Sequence, residues 1–220
     1  MAPKTDPAAI GGVGIGAVPK QQRGIEVRDR LLAAAIKEFK ERGVEDSRVE
    51  NIVEEAGTSW GTFFRYFPRK EDVYLVECAR QFRTFVRPAF DEGIADESMP
   101  IEQVARNTFD QMMEPRVSPR FHAEMINEAV GHPFRFAAII GEGELPVVAL
   151  IAQLLAVGQE RGEIRKDIPA HVCAMVLTAG VIFSTSQVLR AVADGHLPGE
   201  EIGKVATQAF DLTWSGLLPQ

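Results

Sequence analysis

The chain has few cysteines, no long apolar run and no overall excess of positive charge. Its 220 residues contain two cysteines, Cys78 and Cys173, and neither stands in a Cys-x-x-Cys pair or close to a histidine. This excludes a disulfide scaffold, and we expect both to be small buried hydrophobic residues. No uninterrupted apolar run approaches the roughly 20 residues that a membrane span needs. The net charge of −7 argues against a uniformly basic nucleic-acid coat.

Motifs of the common enzyme classes are also missing. The sequence has no Ser/His/Asp arrangement, no phosphate loop, no dinucleotide fingerprint and no metal-ligand spacing. The alanine- and glycine-rich stretch AAIGGVGIGAV imitates a signal-peptide core, but it lacks leucine and phenylalanine. We therefore expect no enzyme, no cofactor and no membrane association, and we interpret residues 1–20 as a flexible tail of a cytoplasmic protein.

The charges are distributed unevenly along the chain. Residues 1–70 hold 12 Lys/Arg against 10 Asp/Glu, a balance of +2, whereas residues 71–220 hold 12 against 21, a balance of −9. A basic end on an acidic body suits a protein that contacts DNA phosphates at one end only.

Two short helices with a tight turn are predicted between Ser47 and Phe67. Ser47 with Glu50 three residues later forms a capping-box pattern at the start of the first helix. Gly57 can end that helix in a left-handed conformation. Ser59 is placed to cap the second helix, which must end before Pro68. Two short helices joined by such a turn make a helix-turn-helix.

The block AGTSWGTFFRYFPRKEDVYL, residues 56–75, resembles the signature of the TetR family of transcriptional regulators. The resemblance covers roughly 25–75 well and continues beyond only through helix order. It implies a DNA-binding head of three helices, with residues 21–69, and a larger helical body for ligand binding and dimerisation, with residues 70–220. Tyr66 and Lys70 match the family's phosphate-binding positions, whereas Phe64 stands where the family usually has tyrosine.

The second short helix is the candidate recognition helix, which would present side chains to base edges in the major groove. Arg65 can contact a phosphate or a guanine, Thr62 a base or a phosphate, and Trp60 a thymine methyl group. Phe63 and Phe67 are expected to pack into the core. The full set of predicted DNA-binding residues is Arg48, Thr58, Ser59, Trp60, Gly61, Thr62, Arg65, Tyr66 and Lys70.

The rest of the chain shows helical periodicity and no strand alternation, so the predicted fold class is all-α. Helices are expected at about 26–42, from residue 70 with a bend or an end at Pro88, and at 101–113, 120–130, 134–161 with an interruption, 169–192 and 199–217. The last two carry extensive apolar surface. The resemblance implies that they pair with their copies in a homodimer, with Ala179, Gly180, Ala206 and Ala209 allowing close approach.

Large apolar side chains of the middle helices are the candidates for an effector pocket. They are Phe82, Phe85, Phe109, Met112, Met113, Phe121, Met125, Phe134 and Phe183. Asn107, His122, Asn127 and His132 are polar groups that could orient a ligand. The sequence thus predicts a homodimeric repressor that binds a palindromic double-stranded DNA operator and is released by a small hydrophobic or aromatic effector.

Two alternatives of the same fold stay open at this point. The protein could sense metal or redox state through His122, His132 and a cysteine. It could also activate transcription, because activation and repression depend on where the operator lies relative to the promoter.

Overall fold

The computed structural model describes residues 16–17, 21–140 and 147–219, apart from the side chains of four residues between 133 and 140. These described residues form α-helices and no strand, which confirms the predicted all-α fold. The helices are α1 (Gln22–Asp46), α2 (Val49–Glu55), α3 (Trp60–Tyr66), α4 (Asp72–Gln81), α5 (Arg87–Ala95), α6 (Ile101–Met113), α7 (Pro119–Gly131), α8 (Pro133–Ile140), α9 (Val147–Arg161), α10 (Ala170–Ala193) and α11 (Glu201–Ser215).

The chain divides into two compact units, one ending at Leu75 and one beginning at Val76. The first unit, called the head here, contains α1 to α3. A buried stripe on α1 supplies the floor of the head core, because Leu31, Leu32, Ala35 and Phe39 recur at helical spacing. Gly43 adopts φ 77° and breaks the helical path of α1. It therefore ends the first stretch of helix, which agrees with the helix expected at about 26–42.

The predicted capping box at Ser47 is wrong. The Ser47 hydroxyl donates to the Val44 carbonyl at 2.6 Å, and α2 begins two residues later at Val49. The carboxylate of Glu38 on α1 instead accepts a hydrogen bond from the Arg48 amide at 3.1 Å. A carboxylate from another helix thus takes the place of the local cap, which spacing within α2 cannot reveal.

A π-helical turn at Phe82–Val86 separates α4 from α5 and was not predicted. Phe82 and Val86 are both buried in the core of the second unit. Pro88 does not end the helix, and it leaves no backbone hydrogen bond unmade. It lies in the first turn of α5, directly after the π turn. A proline is tolerated there because the amide that it lacks would have no helical partner.

Helix α10 is the centre of the second unit, which we call the body. It packs against α7, α9 and α11, while α6 packs against α5 and α9. Two glycines allow close approach within this arrangement. A Cβ on Gly158 would lie 2.5 Å from Ile164 Cγ1, and one on Gly180 would lie 2.7 Å from Thr213 Cγ2. Gly180 therefore serves the contact between α10 and α11 of one chain, in addition to any role in dimerisation.

Length and composition alone would allow α10 to cross a membrane, with a mean hydropathy of 1.8 over an 18-residue window. That is weak evidence for a span, because core helices of soluble proteins pass the same test. Here 44% of the window is buried inside the chain. The hydropathy of α10 reflects one apolar side that packs in the body and a second apolar side at the surface.

The Glu38 carboxylate is buried and gathers three partners in the head. Besides the Arg48 amide, it accepts from Asn51 Nδ2 at 2.8 Å and pairs with Arg42 Nε at 3.2 Å. Burial alone would raise the pKa of Glu38, but these hydrogen bonds and the Arg42 charge outweigh burial, and its pKa lies below the usual value. The carboxylate therefore stabilises the fold above its unfolded-state pKa, and this stabilisation is lost as the pH falls through its folded-state pKa.

We expect Glu38→Gln to lower the free energy of unfolding by about 1–3 kcal/mol at pH 7, because it removes a charged acceptor from buried donors. The difference from the wild type should shrink as the pH falls through the lowered folded-state pKa of Glu38, because the wild-type carboxyl then also becomes protonated. Denaturant unfolding followed by circular dichroism at several pH values measures this. Glu41→Gln, an exposed neighbour on α1, is the control and should change stability by less than about 0.5 kcal/mol. Equal losses in both variants would contradict the prediction.

Candidate functional site

Helix α3 and the turn before it form the second half of a helix-turn-helix. Gly57 ends α2 with φ 61°, a left-handed conformation that glycine adopts without strain. Ser59 is the N-cap of α3, as predicted, and its hydroxyl accepts from the Thr62 amide at 3.3 Å. The hydroxyls of Ser59 and Thr62 also lie 3.0 Å apart. Both predicted DNA-contacting hydroxyls therefore hold the first turn of α3 in place.

The two sides of α3 differ sharply in exposure. Phe63 and Phe67 are fully buried, as predicted for core residues, and their rings pack at a tilt of 40° with centroids 5.3 Å apart. Trp60 is 47% exposed and Phe64 is 38% exposed, and their rings are 5.4 Å apart. Phe64, which lacks the hydroxyl of the family's usual tyrosine, thus forms an exposed aromatic pair with Trp60 at the surface of the head. The sequence did not predict this pair.

Arg65 lies beside this aromatic pair and is also exposed. Its guanidinium carbon sits 4.8 Å from the centre of the Tyr66 ring, and Nη2 donates to the Tyr66 hydroxyl at 3.1 Å. Tyr66 itself is only 5% exposed. The Arg65 guanidinium is therefore held against the Tyr66 ring, and the Tyr66 hydroxyl oxygen already accepts a hydrogen bond from it.

Lys70 is bound to backbone carbonyls at the end of α1. Its Nζ donates to the carbonyls of Val44 at 2.7 Å, Glu45 at 3.3 Å and Ser47 at 3.1 Å. These contacts satisfy carbonyl groups that a helix end leaves without intrahelical partners. A direct phosphate contact by Lys70 stays a prediction, and its position favours a role in holding the connection between α1 and α2.

The remaining predicted DNA-binding residues lie around α2 and α3. Arg48 is exposed at the start of α2, and the Thr58 amide donates to the Val53 carbonyl at 2.9 Å in the turn. A Cβ on Gly61 would meet no atom within 4 Å, so this position faces open space. The turn and the first residues of α3 are therefore accessible to a large partner.

A short segment of the N-terminal arm contacts the end of α3, which the sequence did not predict. The Ala17 amide donates to the Arg65 carbonyl at 2.8 Å. A Cβ on Gly16 would lie 1.7 Å from the Tyr66 carbonyl oxygen, so only glycine fits there. Gln21 and Arg23 line a cleft next to this contact, together with Arg65 and Tyr66. The only sequence signal is the glycine itself, in a glycine-rich segment.

A mainly apolar cavity lies in the body between α6, α9, α10 and α11. It has about 40 Å³ of room for water-sized molecules, and about 400 Å³ when all unfilled space up to its open mouth is counted. Its walls are hydrocarbon and aromatic groups with two threonines, and no charged side chain lines it among the described residues. The lining residues are Ala105, Thr108, Phe109, Met112, Val147, Ile151, Leu177, Thr178, Val181, Ile182 and Phe210.

Two of the nine predicted effector-binding residues, Phe109 and Met112, line this cavity. Phe183 is 67% exposed on the outer side of α10 and does not line this cavity. The side chain of Phe134 lies outside the described residues. The others pack elsewhere in the described body: Phe82, Phe121 and Met125 are buried core residues, Met113 packs against Ala123, Ile126 and Leu189, and Phe85 lies 4.0 Å beneath the Arg116 guanidinium.

The polar residues predicted to orient a ligand have partners of their own. Burial lowers the pKa of His122 to about 4, although a hydrogen bond to the Met112 backbone favours its charged form. His122 is therefore neutral at physiological pH. Asn107 accepts from Gln103 at 2.7 Å, and His132 lies 3.5 Å from Glu128. Asn127 is half-buried and does not line the cavity.

Both cysteines are free thiols, and their surroundings lower their reactivity. Burial and the neighbouring Glu77 charge raise the pKa of the Cys78 thiol to about 12, and burial also raises the pKa of Cys173. Both thiols are therefore protonated at neutral pH, the less reactive form. Within the described ranges, no three His, Cys, Asp or Glu side chains are grouped to hold a metal ion.

Comparisons with known proteins agree with this geometry. Residues 31–76 match the family model described as "Bacterial regulatory proteins, tetR family". The HTH-type transcriptional regulator YdgC of Bacillus subtilis is 34% identical over 86 residues, 39% of this chain and 44% of YdgC. The match thus spans less than half the length of that relative. TcmR of Streptomyces glaucescens is 26% identical over 80% of this chain and 79% of its own.

A solved structure covers nearly the whole described fold. FadR of Thermus thermophilus, a TetR-family transcriptional repressor solved in complex with lauroyl-CoA, superposes with a TM-score of 0.66 at 24% identity. The alignment covers 88% of this chain and 96% of that structure. At this level of identity the likeness shows the fold alone. With the helix-turn-helix and the match over residues 31–76, the head of this chain is similar to the DNA-binding part of the TetR family of transcriptional regulators.

Proposed function

We propose that this protein is a repressor that binds a palindromic DNA operator as a homodimer and is released by a small hydrophobic effector. The observation that carries the DNA-binding role is the two-sided character of α3. Its buried side fixes the helix to the head, and its exposed side presents Trp60, Phe64 and Arg65. A helix held in this way can enter a major groove without losing its place in the core.

The exposed side of α3 offers both kinds of contact that a sequence-specific DNA reader needs. Trp60 and Phe64 form an apolar surface for thymine methyl groups and sugar edges. Arg65 supplies a cation for a phosphate or guanine, and Arg48 at the start of α2 supplies a second. The base readout is therefore proposed to centre on Trp60, with Arg48 as a contact that positions the head.

The homodimer is supported by an exposed apolar surface on α10 and α11, which we call the outer face. It contains Met175, Val176 and Phe183 of α10, which are 59%, 60% and 67% exposed, and Leu212 of α11, which is 76% exposed. Large apolar patches of this kind mark interaction surfaces. A second copy of the chain offers the same face, and a two-fold axis would place identical heads on two half-sites.

The effector role is supported by the cavity in the body. Concave, mainly apolar clefts with a small number of polar groups are the usual small-molecule sites. The FadR structure was solved with an acyl-CoA, so a repressor of this fold can hold a ligand with a long apolar part. A ligand that favours one arrangement of the body by about 1–3 kcal/mol would change DNA affinity roughly 5- to 150-fold.

We expect Trp60→Ala and Arg48→Ala to affect DNA binding differently. Trp60→Ala should change which bases are preferred, because it removes a contact to base edges. Arg48→Ala should weaken binding to all sequences alike and lower the salt slope by about one, because it removes a phosphate contact. Selection from a random DNA pool, followed by titrations at several salt concentrations, measures both.

Lys166→Ala removes an exposed cation from the body and is the control, which should leave affinity and preference unchanged. An unaltered preferred site after Trp60→Ala would place the base readout elsewhere, for instance in the N-terminal arm. An asymmetric selected site would contradict the two-fold arrangement.

The homodimer is tested by making the outer face polar. The double change Val176→Ser and Phe183→Ser should produce a monomer at micromolar concentration, because it removes two large apolar contacts. Analytical ultracentrifugation measures the mass, and circular dichroism checks that the helices remain. Val130→Ser, which changes a 56% exposed valine on α7, is the control and should remain a dimer. A wild-type monomer would rule the dimer out.

The effector role is tested by reciprocity. A compound that releases operator DNA must bind the free protein more tightly than the DNA-bound protein by the same factor. Calorimetric titration of a compound from a screen, with and without operator DNA, measures this factor. Equal affinities in the two titrations would exclude that compound as an allosteric effector.

A further inference from the structure

Two hydroxyl groups lie in the walls of the body cavity, and only one of them has a hydrogen-bond partner among the described residues. Thr108 Oγ1 on α6 donates to the Val104 carbonyl at 2.8 Å, so its proton is already committed. Thr178 Oγ1 on α10 is buried, yet it has no hydrogen-bond partner among the described residues. Buried polar atoms in folded proteins nearly always have a partner, and an exception calls for an explanation. A ligand atom in the cavity would supply that partner.

The surroundings of the cavity favour an uncharged ligand. No charged side chain lines the walls within the described ranges, and His122, which bonds to the backbone of the lining residue Met112, is neutral. Arg106 lies 4.7 Å from the Phe210 ring, but it pairs with Glu102 at 2.7 Å and with Asp211 at 2.6 Å. Its charge is therefore compensated by two carboxylates. Against the described walls, an ionised ligand group would be buried without a counter-charge, which is strongly unfavourable.

The aromatic walls also restrict the ligand. Phe109 and Phe210 stack with ring centroids 5.5 Å apart and an interplanar angle of 30°. Phe210 stacks in turn on Trp214 at 5.4 Å and 7°. Of these rings, Phe109 and Phe210 line the cavity, so an aromatic or compact apolar ligand group can pack against them.

We propose that the cavity selects an uncharged, mainly apolar molecule with one hydrogen-bonding oxygen, and that the Thr178 hydroxyl binds this oxygen. The proposal rests on the effector role of the cavity and names the chemical class of the effector. A cavity for a carboxylate or a phosphate-bearing ligand would need a cation in its walls. The proposed selectivity therefore distinguishes this cavity from sites for such anions. Thr178 acts here as a specificity-determining residue.

Three small probes of nearly equal shape test the chemistry. Acetophenone has a neutral carbonyl, benzoate replaces its methyl group with a charged oxygen, and ethylbenzene has no oxygen. Calorimetric or NMR titration of the full chain without DNA gives the affinities. Acetophenone should bind at least about tenfold more tightly than benzoate at pH 7.5, because no side chain in the described walls supplies a counter-charge.

The role of Thr178 is tested with variants of matched shape. Thr178→Val should weaken acetophenone about threefold to tenfold and leave ethylbenzene unchanged, because only the ketone loses a hydrogen bond. Thr178→Ser keeps the hydroxyl and should retain acetophenone binding. Thr185→Val is the control, because Thr185 on the same helix also has a buried hydroxyl without a partner among the described residues, but it does not line the cavity.

Benzoate binding as tight as acetophenone, no saturable acetophenone binding, or equal acetophenone affinity in wild type and Thr178→Val would each overturn the proposal. These titrations contain no DNA, so they are independent of operator release. If the expected affinities are found but no ligand of this class releases operator DNA, the effector role fails while the selectivity of the cavity stands.

Discussion

The structure of the body depends on one helix that is apolar on two sides. On its inner side, α10 packs against α7, α9 and α11 and contributes Leu177, Thr178 and Val181 to the cavity. On its outer side, Met175, Val176 and Phe183 are exposed. A helix with one apolar stripe could serve only one of these purposes. The two-sided character explains why α10 has the hydropathy of a membrane span without any need for a membrane.

The recognition helix of the head differs from α10, because α3 has only one buried side. It is too short to be stable alone and depends on that side. A helix of seven residues gains little from its own hydrogen bonds. Phe63 and Phe67 therefore anchor it in the core, and this anchoring decides that Trp60 and Phe64 reach the surface. Lys70 and Glu38 complete the scaffold by satisfying backbone groups at the ends of α1 and α2. The exposed side of α3 is thus free to vary with the DNA sequence to be read.

Local patterns predicted most of the helices, because periodicity, glycine and proline act within a few residues. Gly43, Gly57 and Ser59 behave as their positions in the sequence indicate. The errors concern contacts between distant residues. The capping box at Ser47 failed because a carboxylate ten positions from Arg48 took over the cap. The π turn at 82–86 leaves no mark in the apolar stripe, because its buried residues keep helical spacing.

The cavity residues were also hard to predict from the sequence. An apolar stripe predicts that its residues are buried, but it does not distinguish residues of the packed core from residues that line a cavity. Phe109 lines the cavity, whereas Phe82, on the same kind of stripe, is part of the solid core. Phe183 appeared equally suited, but α10 has two apolar sides and sequence alone does not say which of them faces inward. Nothing in the sequence distinguishes Thr178 from other threonines in apolar helices, because only the structure shows that its buried hydroxyl has no partner among the described residues.

The position of Thr178 also suggests how ligand binding could reach the outer face. Thr178 and Leu177 line the cavity, and Val176 and Ala179, their immediate neighbours in the chain, are exposed. A rotation or shift of α10 that accommodates a ligand must therefore move the outer face by a similar amount. Because packed helices move as units, a small shift is not absorbed locally. The proposed effector cavity and the proposed dimer surface are in this way two sides of one helix, so a ligand in the cavity would act directly on the helix that carries the proposed dimer surface.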